Sequence, residues 1–314
     1  MSSSIDIVIV NWNSGALLEE CVSSIEAHSK PDEVRTFVYD NASTDNSTKF
    51  LTLHTNVTVI EGVSNIGFGP ACNRASEKGS GDYILFLNPD ARLYADSISA
   101  SVEFLESSDN QRYAVIGVRL IGISGQTQRN TVALPSPFSF AAQSIGLAPV
   151  LKFFSPKSSQ MHFDHLSSRD VDHVIGAYYF IRRSTFEQVG GFDEGYFLYF
   201  EDLDLSNKIA KAGFLVRYAA DIEAYHKENG TSDQIKGKRL FYSYRSMIFY
   251  SFKHFHFVAA IFVSCCILII SPFLRLLDAS VRRSSSTFRE TVEGYVLLWK
   301  DLPNIIRTIR KHRS

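Results

Sequence analysis

Between Ile5 and Leu87 the chain switches repeatedly between two hydrophobic periods, and this switching restricts its fold more than any other feature. Ile5–Val10 is a short β-branched run, and Gly15–Ala27 then carries helical spacing through Leu17, Leu18, Cys21, Val22 and Ile25. The pattern recurs with Thr36–Tyr39 as strand, Ser47–Leu53 as helix, Val57–Ile60 as strand, Phe68–Lys78 as helix and Tyr83–Leu87 as a fully apolar strand. Strands that alternate with helices predict an α/β doubly wound fold: a Rossmann-like, mostly parallel sheet covered by helices on both faces. Ligands in such folds bind at the carboxyl ends of the strands. Those ends read Asn11-Trp12-Asn13, Asp40-Asn41-Ala42-Ser43 and Asn88-Pro89-Asp90. Polar residues after every strand form a constellation, which carries more than any one of them.

A second informative stretch is Phe197-Leu198-Tyr199-Phe200-Glu201-Asp202-Leu203-Asp204-Leu205. Asp202 falls in line with Leu205 and Ile209 at i, i+3 and i+7, so it is expected on the apolar face of the helix they begin. A carboxylate there points into a buried site or a cleft. The plainer reading is a helix start, where Asp caps well and acids suit the first turn. Asp90 closes an apolar strand at the edge where ligands arrive, and a hard oxygen ligand there suits Mg²⁺ or Mn²⁺ on a diphosphate. His226 ends another polar turn, either as a hydrogen-bonded loop histidine or as a nitrogen ligand. Asp40, Ser43 and Asp45 fit a helix cap as readily as a binding loop. Asn65-Ile66-Gly67-Phe68-Gly69 reads as a turn into a helix, or as glycines that let backbone approach a nucleotide.

Composition excludes less. Net charge is −1 over 314 residues, which argues against general nucleic-acid binding. From Arg275 onward, however, nine Arg and Lys stand against four Asp and Glu, a bias that fits an anionic lipid surface. Four cysteines without paired spacing fit a reducing compartment, and no secretory signal opens the sequence. Residues 121–170 look irregular, as a mobile active-site loop or an acceptor-side insertion. Val174–Arg182 and Phe214–Tyr218 are expected strands. Phe257–Leu274 is uncharged over 18 residues, at the lower limit for a bilayer span, and fits an in-plane, re-entrant or spanning helix. From Thr287 a helix with Val292, Tyr295, Val296, Trp299 and Leu302 on one side reads as amphipathic and interfacial. These features divide the chain into an α/β domain, residues 1–250, and a membrane-associating segment, residues 251–314.

Taken in order, Val10-Asn11-Trp12-Asn13, Tyr39-Asp40-Asn41-Ala42-Ser43-Thr44-Asp45, Asn65-Ile66-Gly67-Phe68-Gly69, Asn88-Pro89-Asp90-Ala91, Gly190-Gly191-Phe192-Asp193, Tyr199-Phe200-Glu201-Asp202-Leu203-Asp204-Leu205 and His226 resemble a known family. It is the family 2 inverting glycosyltransferases of GT-A fold, in the rhamnosyltransferase-like branch that builds bacterial surface polysaccharides. The resemblance covers about residues 5–250. It implies transfer of one sugar from a nucleoside-diphosphate donor, such as dTDP-rhamnose, to a polyprenyl-diphosphate-linked glycan on the cytoplasmic face of the inner membrane. It implies donor contacts from Asn11, Asp40, Ser43, Asn65, Gly67, Asn73 and Asn88, with Asp40 on the nucleobase, and acceptor contacts from Arg129 and Gly176. Asp90 and His226 fall at metal-ligand positions for Mg²⁺ or Mn²⁺, although Asn88 stands where many members have a further Asp and so removes one charge. Asp202 matches the base and Glu201 its partner. The Gln-x-x-Arg-Trp signature of processive synthases is absent, since Gln234 is followed by Ile235-Lys236-Gly237-Lys238. Two rival readings are a sugar-nucleotide nucleotidyltransferase and a non-catalytic membrane-bound glycan-binding protein. The first turn lacks the basic Gly-rich loop of the former, and the intact Asp90, Asp202 and His226 set argues against the latter, because a binder has no need of a base and a metal ligand together.

Overall fold

The computed structural model describes residues 3–147, 163–227 and 236–312. Its contacts divide the chain into two units: Met1–Leu134 with Ser159–Glu194 and Glu201–Thr231, and Pro135–Ser158 with Gly195–Phe200 and Ser232–Ser314. The sequence-based boundary at residue 250 falls inside a single helix, Lys236–His254, which belongs wholly to the second unit.

The first unit is built on a sheet whose strands are β1 (Ile5–Asn11), β2 (Val34–Asp40), β3 (Val57–Glu61), β4 (Tyr83–Leu87), β5 (Ala91–Leu93), β6 (Tyr113–Ile121), β8 (Arg169–Val171), β10 (Tyr178–Arg182) and β11 (Leu215–His226). A separate ribbon pairs β7 (Thr131–Val132) with β9 (His173–Val174). The main order is β3-β2-β1-β4-β10-β6-β11-β5, with β8 pairing β11. β1 is buried along its whole length and parallel to both β2 and β4, as its apolar run Ile7–Val10 requires. Alternate side chains feed two cores. Ile5, Ile7 and Ile9 meet Leu18, Cys21, Val22 and Ile25 of the helix Ala16–His28. Val8 and Val10 meet Ala71, Cys72, Leu205 and Ile209 on the other face.

β10 departs from the all-parallel pattern. It runs antiparallel between β4 and β6, with Tyr178 opposite Leu87. That reversal brings the residues just before β10 to the edge reached by the carboxyl end of β4. β11 is longer than the sequence suggests: with register shifts near Leu215 and between Ala219 and Glu223 it stays beside β6 to Tyr225 and pairs with β5 on its other edge. The pairing of His226 with Ala91 sets His226 beside Asp90.

The stretch read as irregular is partly ordered. Ser136 caps a helix, Pro137–Ser144, through a capping box with Ser139, and proline occupies its first turn. β7 and β8 add two short strands, and residues 148–162 lie outside those described. One polar burial in β1 is also accounted for. Asp6 is fully buried, paired with Arg35 at 2.9 Å and with Arg183, and accepts the Gly81 N–H. A Cβ on Gly79 would fall 2.1 Å from the Asp6 carboxylate, so only glycine fits beside it.

In the second unit Phe257–Val281 forms a helix of 25 residues, long and apolar enough to cross a membrane, with a π-helical turn at Cys266–Ile270. Ser285–Lys311 follows, and its residues split differently from the sequence expectation. Tyr295, Leu298 and Ile305 turn inward, whereas Phe288, Val292, Val296, Trp299 and Ile306 stay exposed.

Candidate active site

Parallel registry aligns the carboxyl ends of β1, β2 and β3, so Asn11 lies beside Asp40 and Asp40 beside Glu61. The buried Asn11 amide donates to Asp40 at 2.7 Å, to Ser47 at 2.8 Å and to Ser43 at 3.0 Å. Asp40 also accepts the Ser43 backbone N–H and hydroxyl, at 3.1 and 2.6 Å, and so holds the loop that follows β2. These three residues form one hydrogen-bonded loop at the strand ends. The Asn11 side-chain oxygen Oδ1 stays buried without a donor. Asn41 ties this loop to the next, donating to the Gly67 carbonyl at 3.0 Å and accepting the Ile66 N–H at 2.8 Å. Asn65 accepts the Gly67 N–H at 3.0 Å, and Gly67, with φ of 94°, turns the chain into the helix Phe68–Ser76.

Asn73, expected to line the nucleotide pocket, holds backbone from a distant part of the chain. Its amide makes a two-way clamp on the Phe192 backbone, donating to the carbonyl and accepting the N–H, both at 2.9 Å. A Cβ on Gly191, at φ of 61°, would press within 2.8 Å of that amide, so the Gly190-Gly191-Phe192 motif is shaped by this clamp.

Further along the edge, His226 Nε2 faces the buried Asp90 carboxylate at 3.4 Å. Gln128, which no sequence pattern marked, sets the ring. Its Nε2 donates to the His226 carbonyl at 2.6 Å, which turns its Oε1 toward His226 Nδ1 at 3.0 Å. Nδ1 therefore carries the proton and Nε2 presents a lone pair to a carboxylate. Two acceptors facing each other need a cation between them, a proton or a divalent metal, so the pair fits metal ligation with the Gln128 amide holding the histidine ring in place. Among the described residues no three His, Cys, Asp or Glu side chains gather as a fuller metal group. Asn88 lies two residues before Asp90 at the close of β4, its backbone N–H donating to the Ala177 carbonyl at 3.2 Å.

The turn before β10 completes the edge. Gly176 N–H donates to Asp202 Oδ2 at 2.9 Å, and the Leu203 N–H donates to Asp202 Oδ1 at 2.8 Å. The Asp202 side chain keeps 22% exposure, so it lies at a rim, contrary to the inward placement inferred from its spacing. The deep positions go to Glu201 and Asp204, at 5% and 0% exposure. Glu201 packs against Gly69, whose added Cβ would lie 3.4 Å from that of Glu201. Burial, and then the negative charge of Asp202, push the Glu201 carboxyl up to about 8. It is therefore neutral at pH 7, and its Oε2 is buried without a partner.

A buried polar chain stands behind Asp202. Tyr179 OH meets Ser206 Oγ at 3.0 Å, Ser206 Oγ meets His173 Nδ1 at 2.9 Å, and His173 Nε2 faces Asp202 Oδ2 at 3.7 Å. Burial holds His173 below its ordinary range, so the ring is neutral. With Ser206 donating to Nδ1, the proton rests on Nε2 and points at the carboxylate. Arg129 is exposed between the buried Gln128 and Asn130, and the Asn130 carbonyl accepts the Ile175 N–H at 3.0 Å. This bond joins the Arg129 segment to the turn that holds Gly176.

A mostly parallel sheet with acidic and amide side chains along its carboxyl edge, closed by an antiparallel strand and an acidic helix start, is the arrangement of a GT-A glycosyltransferase. Residues 6–190 match the family described as glycosyl transferase family 2, and the chain belongs to that family. It is 30% identical over 250 residues to the N-acetylglucosaminyl-diphospho-decaprenol L-rhamnosyltransferase of Mycobacterium tuberculosis, across 74% of this chain and 78% of that protein. It is 31% identical to the rhamnosyltransferase WbbL of Escherichia coli, across 46% of this chain and 52% of the relative. The mannosyltransferase of Pyrobaculum calidifontis in complex with GDP-Man and Mn²⁺ shares the fold at a TM-score of 0.57 and 14% identity, over 96% of this chain and 88% of that one. TarS of S. aureus in complex with UDP-GlcNAc does so at 0.55 and 14%, over 98% and 81%. The protein is a glycosyltransferase.

Proposed function

We propose that the protein transfers one L-rhamnose or similar hexose, with inversion, from a nucleoside-diphosphate sugar such as dTDP-rhamnose to a hydroxyl of a polyprenyl-diphosphate-linked glycan. The reaction takes place at the cytoplasmic face of the bacterial inner membrane. The observation that carries this reading is Asp202: a partly exposed carboxylate at the rim, fixed by two backbone N–H groups, beside a Glu201 kept neutral by burial. The rhamnosyltransferase names of its relatives, one of them acting on a decaprenol-linked sugar, support the substrate classes.

Asp202 takes the proton of the acceptor hydroxyl as that oxygen attacks the anomeric carbon. The bond from that carbon to the diphosphate oxygen breaks, its electron pair leaves with the nucleoside diphosphate, and a single displacement inverts the configuration. One carboxylate suffices, unlike a glycosidase, which also protonates its leaving group. Neutral Glu201 leaves the negative charge on Asp202, and His173 holds that carboxylate's orientation. The loop of Asn11, Asp40, Ser43, Asn65 and Gly67, with Asn88, holds the nucleotide. Asp90 and His226 would hold Mg²⁺ or Mn²⁺, which offsets the charge on the departing diphosphate. The exposed apolar residues of Phe257–Val281 and Ser285–Lys311, with the basic residues of the second helix, bind the membrane surface.

The test is direct transfer. Detergent-solubilised protein is incubated with a panel of radiolabelled nucleotide sugars and polyprenyl-diphosphate-linked acceptors. A single added sugar on the lipid-linked product, in the configuration opposite to the donor's, supports the proposal. Transfer with retained configuration, or none with any donor, overturns it.

A further inference from the structure

The second unit contains a cavity of about 430 Å³ lined by Tyr199, Arg239, Leu240, Ser243, Arg275 and Glu290. Two of its wall groups lack partners: Tyr199 OH and Arg275 Nε are shielded from solvent and make no hydrogen bond. Groups of this kind are rare in proteins and point to an unmet ligand.

The segment that carries Tyr199 is firmly held. Leu198 accepts from Ser246 at 2.8 Å, Gly195 accepts from Arg245 at 3.0 Å, and Phe197 stacks on Tyr242 at 4.8 Å. Phe200 packs edge-on against Phe140 at 5.3 Å. Within this frame Tyr199 and Phe200 both adopt left-handed backbone, at φ of 68° and 69°. Two successive non-glycine residues in that region are strained, and strain of this kind persists where it presents a functional group.

The wall offers two guanidinium groups and two hydroxyls against one carboxylate, one net positive charge. Arg239 and Ser243 stand four residues apart on one helix face. Guanidinium groups and hydroxyls converging on a cavity suit an anion rich in oxygen acceptors. The volume falls in the range of ligand pockets. Arg275 further constrains the ligand, because it sits on the apolar helix Phe257–Val281 among Phe273, Leu274 and Leu277, exposed by 73%, 41% and 61%. A ligand with an anionic head and an apolar tail satisfies both the pocket and the helix that borders it.

We infer that this pocket binds the diphosphate ester of a long-chain lipid, held by Arg239, Arg275, Ser243 and Tyr199. The inference rests on the lipid-linked acceptor proposed above and assigns the residues that grip its head group. Glu290 accepts from hydroxyls of the attached glycan.

The test uses full-length protein in detergent micelles and three probes: farnesyl diphosphate, inorganic pyrophosphate and dTDP. The wild type is expected to bind farnesyl diphosphate, pyrophosphate to compete at least tenfold more weakly, and dTDP not to compete. Arg275→Gln and Tyr199→Phe should each weaken farnesyl diphosphate binding about tenfold or more while dTDP binding, the control for folding, stays unchanged. Tyr199→Phe removes an unsatisfied hydroxyl, so its Tm should stay level or rise, unlike the loss of a structural hydrogen bond. Farnesyl diphosphate binding unchanged in both variants overturns the site. Pyrophosphate binding as tightly as farnesyl diphosphate overturns the lipid assignment. The binding assay needs no transfer, so the two readings fail separately: a site lost in Arg275→Gln stands even if no sugar is transferred, and transfer with unaltered binding refutes the pocket alone.

Discussion

Glu201→Gln isolates the strongest electrostatic feature of the candidate active site. Glu201 is buried beside Asp202, and its folded-state carboxyl lies at about 8 against a reference of 4.5. Its pKa is raised on folding, so its favourable contribution is fully present below pH 4.5 and fades as pH climbs toward 8. Each pH unit in that window costs roughly 1.4 kcal/mol, so the interval from pH 5.5 to 8 removes about 3 kcal/mol. For a chain of this size that corresponds to roughly 5–10 °C in Tm. Glutamine cannot ionise and abolishes this slope, although it adds a pH-independent change because the Oε2 site has no partner. Thermal unfolding of wild type and Glu201→Gln, recorded from pH 5 to 9 in the same detergent, checks the reasoning through the difference in slope. Parallel curves would mean that Glu201 ionises in the folded protein near its ordinary pKa, and the argument for a neutral partner beside Asp202 would fail.

Gln128→Leu frees the His226 ring, so Mn²⁺ affinity measured by titration should fall about 10- to 100-fold, and unchanged affinity refutes the ligand assignment. His173→Asn should lower kcat about tenfold, leave the donor KM unchanged and move the acid limb of the kcat–pH profile upward. A smaller kcat with an unmoved profile would reduce His173 to a packing role. The full-length protein should sediment with membranes at low salt and stay there at high salt, because exposed apolar side chains anchor it as well as charge; recovery in the supernatant refutes the membrane proposal.

Much of this was legible in the sequence, for reasons that differ between elements. β4 announces itself because a parallel strand buried on both faces must be apolar, and β1 to β3 do so through β-branched residues between polar turns. β6 is less visible, since Gly117 interrupts it where a Cβ would come within 2.6 Å of Val174. The helix Pro137–Ser144 hides in a stretch of serine and proline, yet Ser136 and Ser139 form its capping box. The acidic helix start was readable, but which carboxylate sinks was not. Helical spacing favoured Asp202, whereas packing against Gly69 buries Glu201. Gln128 and His173 left no local signal at all. Their partners lie 98 residues away at His226 and 33 away at Ser206, and only the strand order brings them together.

The claim most in need of a direct measurement is that Asp202 is the base. Asp202→Asn keeps the shape and one of the two accepted backbone hydrogen bonds, since its NH2 cannot accept the other N–H, and it cannot take a proton from the acceptor hydroxyl. Base catalysis is typically worth about 10²–10⁴ in rate, so transfer turnover should fall by that factor. Donor affinity, measured by titration on the same preparation, should change little. Turnover within about tenfold of wild type, with donor binding intact, would contradict the assignment.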